Sequence, residues 1–227
     1  LKNMRFDRDI FFKSLRVGLP SGIQQTFVSM GMLFLYGIVN SYGTNVSAAY
    51  SVAGRIDSFA LLPAMNFSMA LSTFTGQNLG ANKPERVARG LRKTIVIAGI
   101  IALIVTLLVI FTGHYMMGWF TKDPEVIRIG WEYLVIVSSF YLVFTLMFLY
   151  TGVMRGAGDT IVPMFISFFS LWIIRIPLAY LLSGWMGEKG IWWSIPAGWI
   201  VGTLVAFWYY RTGRWKNKVL VRYPSTR

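Results

Sequence analysis

Long stretches without a single charged residue dominate this sequence, and they restrict the folds that are open to it. A helix needs about 20 apolar residues to cross the hydrocarbon core of a bilayer. The first uncharged stretch is too long for one span and is cut by the turn-rich segment 40–45. The sequence therefore predicts an all-α integral membrane protein with six transmembrane helices. We expect the spans at 18–40, 46–75, 93–113, 127–153, 160–184 and 190–211.

The composition excludes several other classes of protein. Charged residues make up 14% of the chain, against about 25% in an average soluble domain, which argues against a soluble enzyme. The sequence contains no cysteine and 1 histidine, which excludes disulfides, thiolate catalysis and metal sites of several Cys or His ligands. We predict no metal site, no cofactor and no enzymatic activity.

Basic residues predict the orientation of the spans. Lys and Arg number 22 against 9 Asp and Glu, and most of them fall in the connections on one side of the predicted spans. The positive-inside rule predicts that this side, with both ends of the segment, faces the cytoplasm. We expect the protein to lie in the plasma membrane. Residues 1–17 form an amphipathic lead-in, 18–211 the helical lobe, and 212–227 a basic tail. The basic clusters are too small for a nucleic-acid groove, and we expect them to contact lipid headgroups.

Two glycine-containing motifs lie at predicted helix ends. The second span ends with Gly76, Gln77, Asn78 and Gly80, and Gly and Asn suit a helix C-terminus. The connection between spans four and five contains Arg155, Gly156, Gly158 and Asp159. We expect Asp159 to cap the fifth span. Gly156–Asp159 also fits the Gly-x-Gly-Asp pattern of intramembrane aspartyl proteases, but the fourth span supplies no second aspartate.

Taken together and in order, these motifs resemble the multidrug and toxic compound extrusion (MATE) family of transporters. The resemblance also rests on Gly18–Pro20, Ala48–Tyr50, Arg55–Asp57, Pro63, Ser72–Ala81, Pro163 and Arg175–Pro177. It implies a twelve-helix protein of two lobes, of which this chain is the C-terminal one and an N-terminal six-helix lobe is the partner. It further implies efflux of organic cations or other amphipathic drug-like compounds by alternating access, coupled to inward Na⁺ or H⁺.

The sequence departs from one branch of that family. Some members hold the coupling cation with acidic residues in the first and fourth spans of this lobe, and the corresponding segments 24–28 and 140–150 contain no carboxylate. The resemblance then implies that the coupling ion binds in the N-terminal lobe. A self-contained six-helix channel or an oligomeric membrane scaffold is the alternative from another functional class.

Polar residues inside the spans are the candidate site residues. The candidates for a substrate or ion cavity are Gln24, Gln25, Asn40, Arg55, Asp57, Asn66 and Arg175. Hydrogen bonding between helices is the competing explanation for the uncharged ones. Arg128 and Glu132 are expected to form an ion pair one helical turn apart.

Asp57 and Arg175 are the oppositely charged residues that lie deepest in the predicted membrane region. They lie about 16 Å and about 14 Å from the same predicted membrane surface, and an isolated charge at that depth is costly. We therefore expect the two side chains to form an ion pair or to share a short polar network between spans two and five. The alternative is that Arg175 meets backbone carbonyls freed by Pro177 while Asp57 faces water.

Overall fold

The computed structural model describes residues 7–218, and these residues form helices and short connections without any strand. Residues 1–6 and 219–227, which belong to the predicted lead-in and tail, lie outside the described part. The helices are α1 (Arg8–Asn40), α2 (Thr44–Gly80), α3 (Pro84–Gly118), α4 (Pro124–Ser138), α5 (Tyr141–Gly156), α6 (Ile161–Phe168), α7 (Ile176–Met186) and α8 (Glu188–Thr212), with a π-helical segment Phe169–Arg175 and a 3₁₀ turn Arg214–Asn217.

The lengths and compositions of these helices confirm a multi-pass membrane protein. Among residues 7–218, α1, α3, α8 and the continuous stretch Ile161–Met186 are long and apolar enough to cross a bilayer, and the bent pair α4 and α5 forms a fifth candidate. The remaining long helix, α2, has 37 residues, or about 55 Å, and is more polar than the others. The six helical passes form the predicted all-α lobe.

The fourth pass is a broken helix rather than a continuous one. α4 and α5 meet at Ser139 and Phe140 with a bend of 50°. A break of this kind frees backbone carbonyls, which must find donors inside a membrane protein. The Thr106 hydroxyl on α3 supplies one by donating to the Ser138 carbonyl oxygen at 2.8 Å. Neither glycine nor proline marks the break, so the sequence offered no signal for it.

The fifth pass is interrupted just before Pro177. The segment Phe169–Arg175 is π-helical, and α7 begins directly after it. Pro177 has no N–H to donate, and its ring would collide with the carbonyl four residues earlier in a regular helix. A wider π-helical turn avoids the collision with the ring and tolerates the missing N–H.

Small residues allow α2 and α5 to approach each other closely. A Cβ atom on Gly156 would lie 2.2 Å from the Ser72 carbonyl oxygen, and one on Gly152 would lie 2.6 Å from the Ser68 Oγ. Glycines four residues apart facing small residues are a common membrane helix interface. The Ser68 hydroxyl then donates to the Phe148 carbonyl oxygen at 2.6 Å, which ties the two helices together.

One end of the lobe, here called the basic end, comprises the C-terminal ends of α2, α5 and α8 and the N-terminal ends of α3 and α6. At this end α2 finishes at Gly80, and Asn82 adopts a left-handed φ of 56°, as the predicted helix stop requires. A small apolar core that includes Leu79, Val87, Ala157 and Trp215 holds the basic end together. At the start of α1, the Asp7 carboxylate accepts from the Asp9 and Ile10 amides, so the helix begins well before the predicted span.

Candidate functional site

Asp57 is the carboxylate buried in the middle of the helical lobe. Its relative exposure is 7%, and it lies on the face of α2 that packs against α4 and α5. The Tyr133 hydroxyl on α4 donates to Asp57 Oδ2 at 2.7 Å, and the Tyr141 hydroxyl donates to Oδ1. Both carboxylate oxygens therefore accept a hydrogen bond from the protein, which is what a buried ionised group needs.

The break in the fourth pass positions the two tyrosines. Tyr133 lies on α4 before the bend, and Tyr141 is the first residue of α5 after it. Aromatic packing fixes the first of them, because the Trp192 ring contacts Tyr133 edge-on at 5.0 Å and stacks on Tyr50 at 5.6 Å. The acid is thus held by tyrosines from α4 and α5, one of which is packed against aromatic rings of α2 and α8.

Arg175 lies near this acid but does not form the predicted ion pair. Among residues 7–218, no salt bridge of 4.0 Å or less joins the two side chains. The Arg175 Nη1 instead contacts the Met32 Sδ at 3.9 Å, and its Nε has no hydrogen-bond partner in the described structure. Within the described residues, Arg175 therefore has no acidic side chain at contact distance. The alternative with Asp57 in water is also wrong, since the acid is buried.

A polar face covers one exposed side of α1 and α2. Arg55 and Asp57 lie in different environments, because Arg55 is exposed and Asp57 is buried. The α1 and α2 parts of this face meet where the Tyr36 and Ser51 hydroxyls lie 3.1 Å apart. We define the polar face by its exposed residues. These are Gln25, Ser29, Tyr36 and Asn40 on α1 and Ser51, Arg55, Ser58, Asn66, Thr73 and Gln77 on α2.

The remaining cavity candidates are engaged in local contacts. Gln24 is half-buried and donates to the Ser167 Oγ at 2.5 Å, so it connects α1 to α6. Asn40 accepts from the Ser47 hydroxyl at 2.7 Å across the turn between α1 and α2. Asn66 donates to a carbonyl of its own helix at 3.0 Å and stays exposed. The structure therefore gathers Gln25, Asn40, Arg55 and Asn66 on the polar face and separates them from Asp57 and Arg175.

The loop motif at the basic end has a different role from the one expected. Asp159 is buried and accepts a hydrogen bond of 2.5 Å from the Tyr209 hydroxyl on α8. Thr160 occupies the N-cap position of α6, without a side-chain cap bond, so the predicted capping by Asp159 is wrong. Arg155 is half-buried. Gly158 has a φ of 87°, which explains a glycine at this turn.

Charged side chains near the end of the lobe opposite the basic end pair with one another. Arg128 donates to Glu132 at 2.9 Å, as predicted from the spacing, and also to Glu125 at 2.7 Å. Lys189 adds a contact to Glu132 at 3.2 Å. No group of three or more metal-ligating side chains occurs among residues 7–218.

The two tyrosine partners of Asp57 were not among the predicted site residues. The prediction paired this acid with an opposite charge at the same depth, but a tyrosine hydroxyl can also donate to a carboxylate. Tyr133 and Tyr141 were visible in the fourth span, but their eight-residue spacing places them near one another only after the helix bends.

Comparison with known proteins identifies the family. The family model described as MatE matches residues 20–181. The chain is 34% identical over 202 residues to the probable multidrug resistance protein YpnP of Bacillus subtilis, covering 89% of this chain and 45% of that protein. It is 25% identical over 209 residues to the probable multidrug resistance protein NorM of Thermotoga maritima, covering 91% and 45%. The chain thus spans about half the length of the curated relatives it matches.

Solved structures show the same fold. An outward-facing multidrug resistance MATE family transporter superposes with a TM-score of 0.88 at 23% identity, covering 96% of this chain and 49% of that one. The bent form of the Vibrio cholerae MATE transporter VcmN gives 0.83 at 21% identity, covering 92% and 48%. The six-pass lobe, the motifs at its helix ends and the match over most of the chain agree: this chain belongs to the MATE family of multidrug transporters.

Proposed function

We propose that this chain is the C-terminal half of a secondary-active multidrug exporter and works with a similar N-terminal lobe. The observation that carries the proposal is the contrast between two sides of the lobe. The polar face on α1 and α2 exposes hydroxyl, amide and guanidinium groups, whereas α3 exposes aliphatic side chains such as those of Ile97, Ile100 and Leu107. One side suits a water-filled cavity and the other suits lipid.

The polar face would form one wall of a central cavity for drug-like organic cations or other amphipathic compounds. Two similar lobes rocking about such a cavity are a common design for alternating access. The exposed methionines Met32, Met65 and Met69 lie on or beside the polar face, and flexible thioethers adapt to ligands of different shape. Transport rather than catalysis is the proposed activity.

We propose further that inward Na⁺ or H⁺ drives export and that the coupling ion binds in the N-terminal lobe. The support comes from the carboxylates at or near the membrane in this half. Asp57 accepts two tyrosine hydroxyls, Glu132 pairs with Arg128 and Lys189, and Asp159 accepts from Tyr209. Each of these acids already has protein partners, and none of them belongs to the polar face.

The positive-inside rule supports a plasma membrane orientation with the basic end in the cytoplasm. A self-contained six-helix channel remains the alternative. Relatives of about twice this length favour the exporter half, because a second lobe would supply the opposite wall of the cavity.

A vesicle assay with the intact transporter tests this proposal. A fluorescent organic cation is loaded, and a Na⁺ gradient and a pH gradient are imposed separately and in both directions. We expect export to follow one of the two gradients and to stop when that gradient is collapsed. Gradient-independent ion conductance without dye export would instead support the channel.

A matched pair of variants locates the cavity wall. Arg55→Gln alters the polar face, whereas Arg128→Gln removes an equal charge from the paired cluster at the opposite end of the lobe. Only the first is expected to change the relative rates for different dyes.

A further inference from the structure

A groove between α2 and α3 at the basic end is not used by the proposed transport cycle. Its volume is about 700 Å³, within the range of small-molecule binding sites. Its lining is Phe67, Ala70, Leu71 and Phe74 from α2 and Arg86, Arg89, Gly90, Lys93 and Thr94 from α3. Gly90 lets the Phe74 ring lie directly against α3 in this groove, because a Cβ atom there would lie 2.4 Å from that ring.

The α3 wall of this groove carries three cations in a row. Arg86, Arg89 and Lys93 are exposed, and their spacing places them on one helical face over about 10 Å. None of the three forms a salt bridge with an acidic side chain in the part of the chain that the structure describes. The groove therefore presents an uncompensated positive field that an anion would neutralise.

The α2 wall is apolar, so the groove has two chemical halves. Leu71 is buried, and Phe67 and Phe74 present aromatic surface. A free inorganic anion would use the basic row and leave this wall without a partner. A ligand with an anionic head and an apolar body would use both.

The surroundings of the groove indicate where such a ligand comes from. On α3 the basic row continues into exposed apolar residues along the same face, at Ile97, Ile100 and Ile104. Lys93 is the last charged residue of that helix. The groove thus lies at the boundary between the headgroup layer and the hydrocarbon core, on a helix whose exposed side suits lipid rather than a polar cavity.

We propose that this groove binds one anionic phospholipid, with the phosphate held by Arg86, Arg89 and Lys93 and the glycerol and upper acyl chain lying against Phe67, Leu71 and Phe74. Basic pockets between transmembrane helices at a membrane surface bind anionic headgroups in this way. The bound lipid would bridge α2 and α3, and α2 carries much of the polar face. The proposal does not depend on the transported substrate or on the coupling ion.

Native mass spectrometry of the intact transporter tests the proposal. The protein is titrated in detergent with dioleoyl phosphatidylglycerol or with dioleoyl phosphatidylcholine. We expect one phosphatidylglycerol to bind in preference to phosphatidylcholine. The triple variant Arg86→Gln, Arg89→Gln, Lys93→Gln should weaken that binding by about tenfold or more. The control Arg211→Gln, Arg214→Gln, Lys216→Gln removes equal charge from the basic end outside the groove and should keep it.

Equal loss in the two triple variants would show a diffuse charge effect and overturn the proposal, and so would equal binding of the two lipids. Millimolar inorganic phosphate provides a further arm. Displacement of the lipid by phosphate alone would identify a simple anion site, whereas a lipid site keeps its ligand because of the apolar wall.

A second measurement leaves the basic row unaltered. This chain has no cysteine, so a spin label at Ala70→Cys reports on the groove, provided that any cysteine elsewhere in the intact protein is replaced. In bilayers we expect relaxation of the label by lipid-soluble oxygen. Shielding from both oxygen and a water-soluble nickel chelate would show that protein, such as the other lobe, covers the groove, and the proposal would fail.

Discussion

The Tyr133 hydroxyl donates to Asp57 Oδ2 at 2.7 Å and thereby joins α4 to α2 in the interior of the lobe. A hydrogen bond to a buried charge contributes more than one between neutral groups. Tyr141 makes the matching bond to the other oxygen from beyond the helix break. The acid therefore connects both halves of the broken fourth pass to the same point on α2.

Tyr133→Phe should destabilise the protein by about 1.5–3 kcal/mol, since it leaves one oxygen of a buried carboxylate without a donor. Unfolding by sodium dodecyl sulfate in mixed micelles, followed by circular dichroism, measures the change. Tyr180→Phe is the matched control, because Tyr180 is 73% exposed and its removal should be silent. Equal effects of the two variants would contradict the structural role given to the Asp57 hydrogen bond.

A double-mutant cycle should rank the partners of Asp57. We expect the coupling energy between Asp57→Asn and Tyr133→Phe to exceed that between Asp57→Asn and Arg175→Gln, because Tyr133 is in contact and Arg175 is not. Arg175→Gln should still recover part of the stability lost in Asp57→Asn, since it removes a buried charge that has no ion-pair partner among the described residues. The same unfolding assay gives all the values. A larger coupling to Arg175 would restore the ion pair as the main interaction.

Asp57→Asn should leave the ion dependence of transport in place. In the intact transporter, the total rate is expected to fall with the amount of folded protein, while the choice between Na⁺ and H⁺ as driving ion stays the same. Dye export in vesicles, normalised to folded protein, measures both. Loss of gradient dependence in well-folded Asp57→Asn would place coupling in this half.

Gly156→Ala should destabilise the α2–α5 interface by about 1–3 kcal/mol, because its methyl group would collide with the Ser72 carbonyl and the Thr75 side chain. Gly184→Ala is the control, since nothing lies within 4 Å of a Cβ there. That substitution should be neutral or slightly stabilising within its helix. Unfolding midpoints in detergent distinguish the pair, and a tolerated Gly156→Ala would disprove the close approach.

Asp159→Ala and Tyr209→Phe should reduce stability by similar amounts, about 1–2 kcal/mol each, and leave the range of transported dyes unchanged. The reason is that they remove the two ends of one hydrogen bond between the α5–α6 loop and α8. If Asp159 acted as a helix cap, Tyr209→Phe would be silent. Thermal unfolding and a dye panel measure the two properties, and a changed dye range at full stability would contradict a purely structural role.

The sequence alone determined the architecture of this protein. Uncharged runs of bilayer length fix the membrane passes, since a charge in hydrocarbon is costly whatever its neighbours are. Glycine, asparagine and proline fixed the helix stop near Asn82 and the interruption near Pro177, because their effects on the backbone are local. The spacing of Arg128 and Glu132 likewise predicted a contact within one helix.

The tertiary structure decided which partners the buried polar groups find. Asp57 binds two tyrosines on either side of an unmarked bend, and Asp159 binds Tyr209 instead of capping the next helix. Both contacts join residues that lie far apart in the chain, so they depend on how neighbouring helices are rotated and how closely they approach. Side-chain packing over the whole lobe sets the rotation of the helices and the distances between them. Neither can be derived from the spacing of residues along one helix.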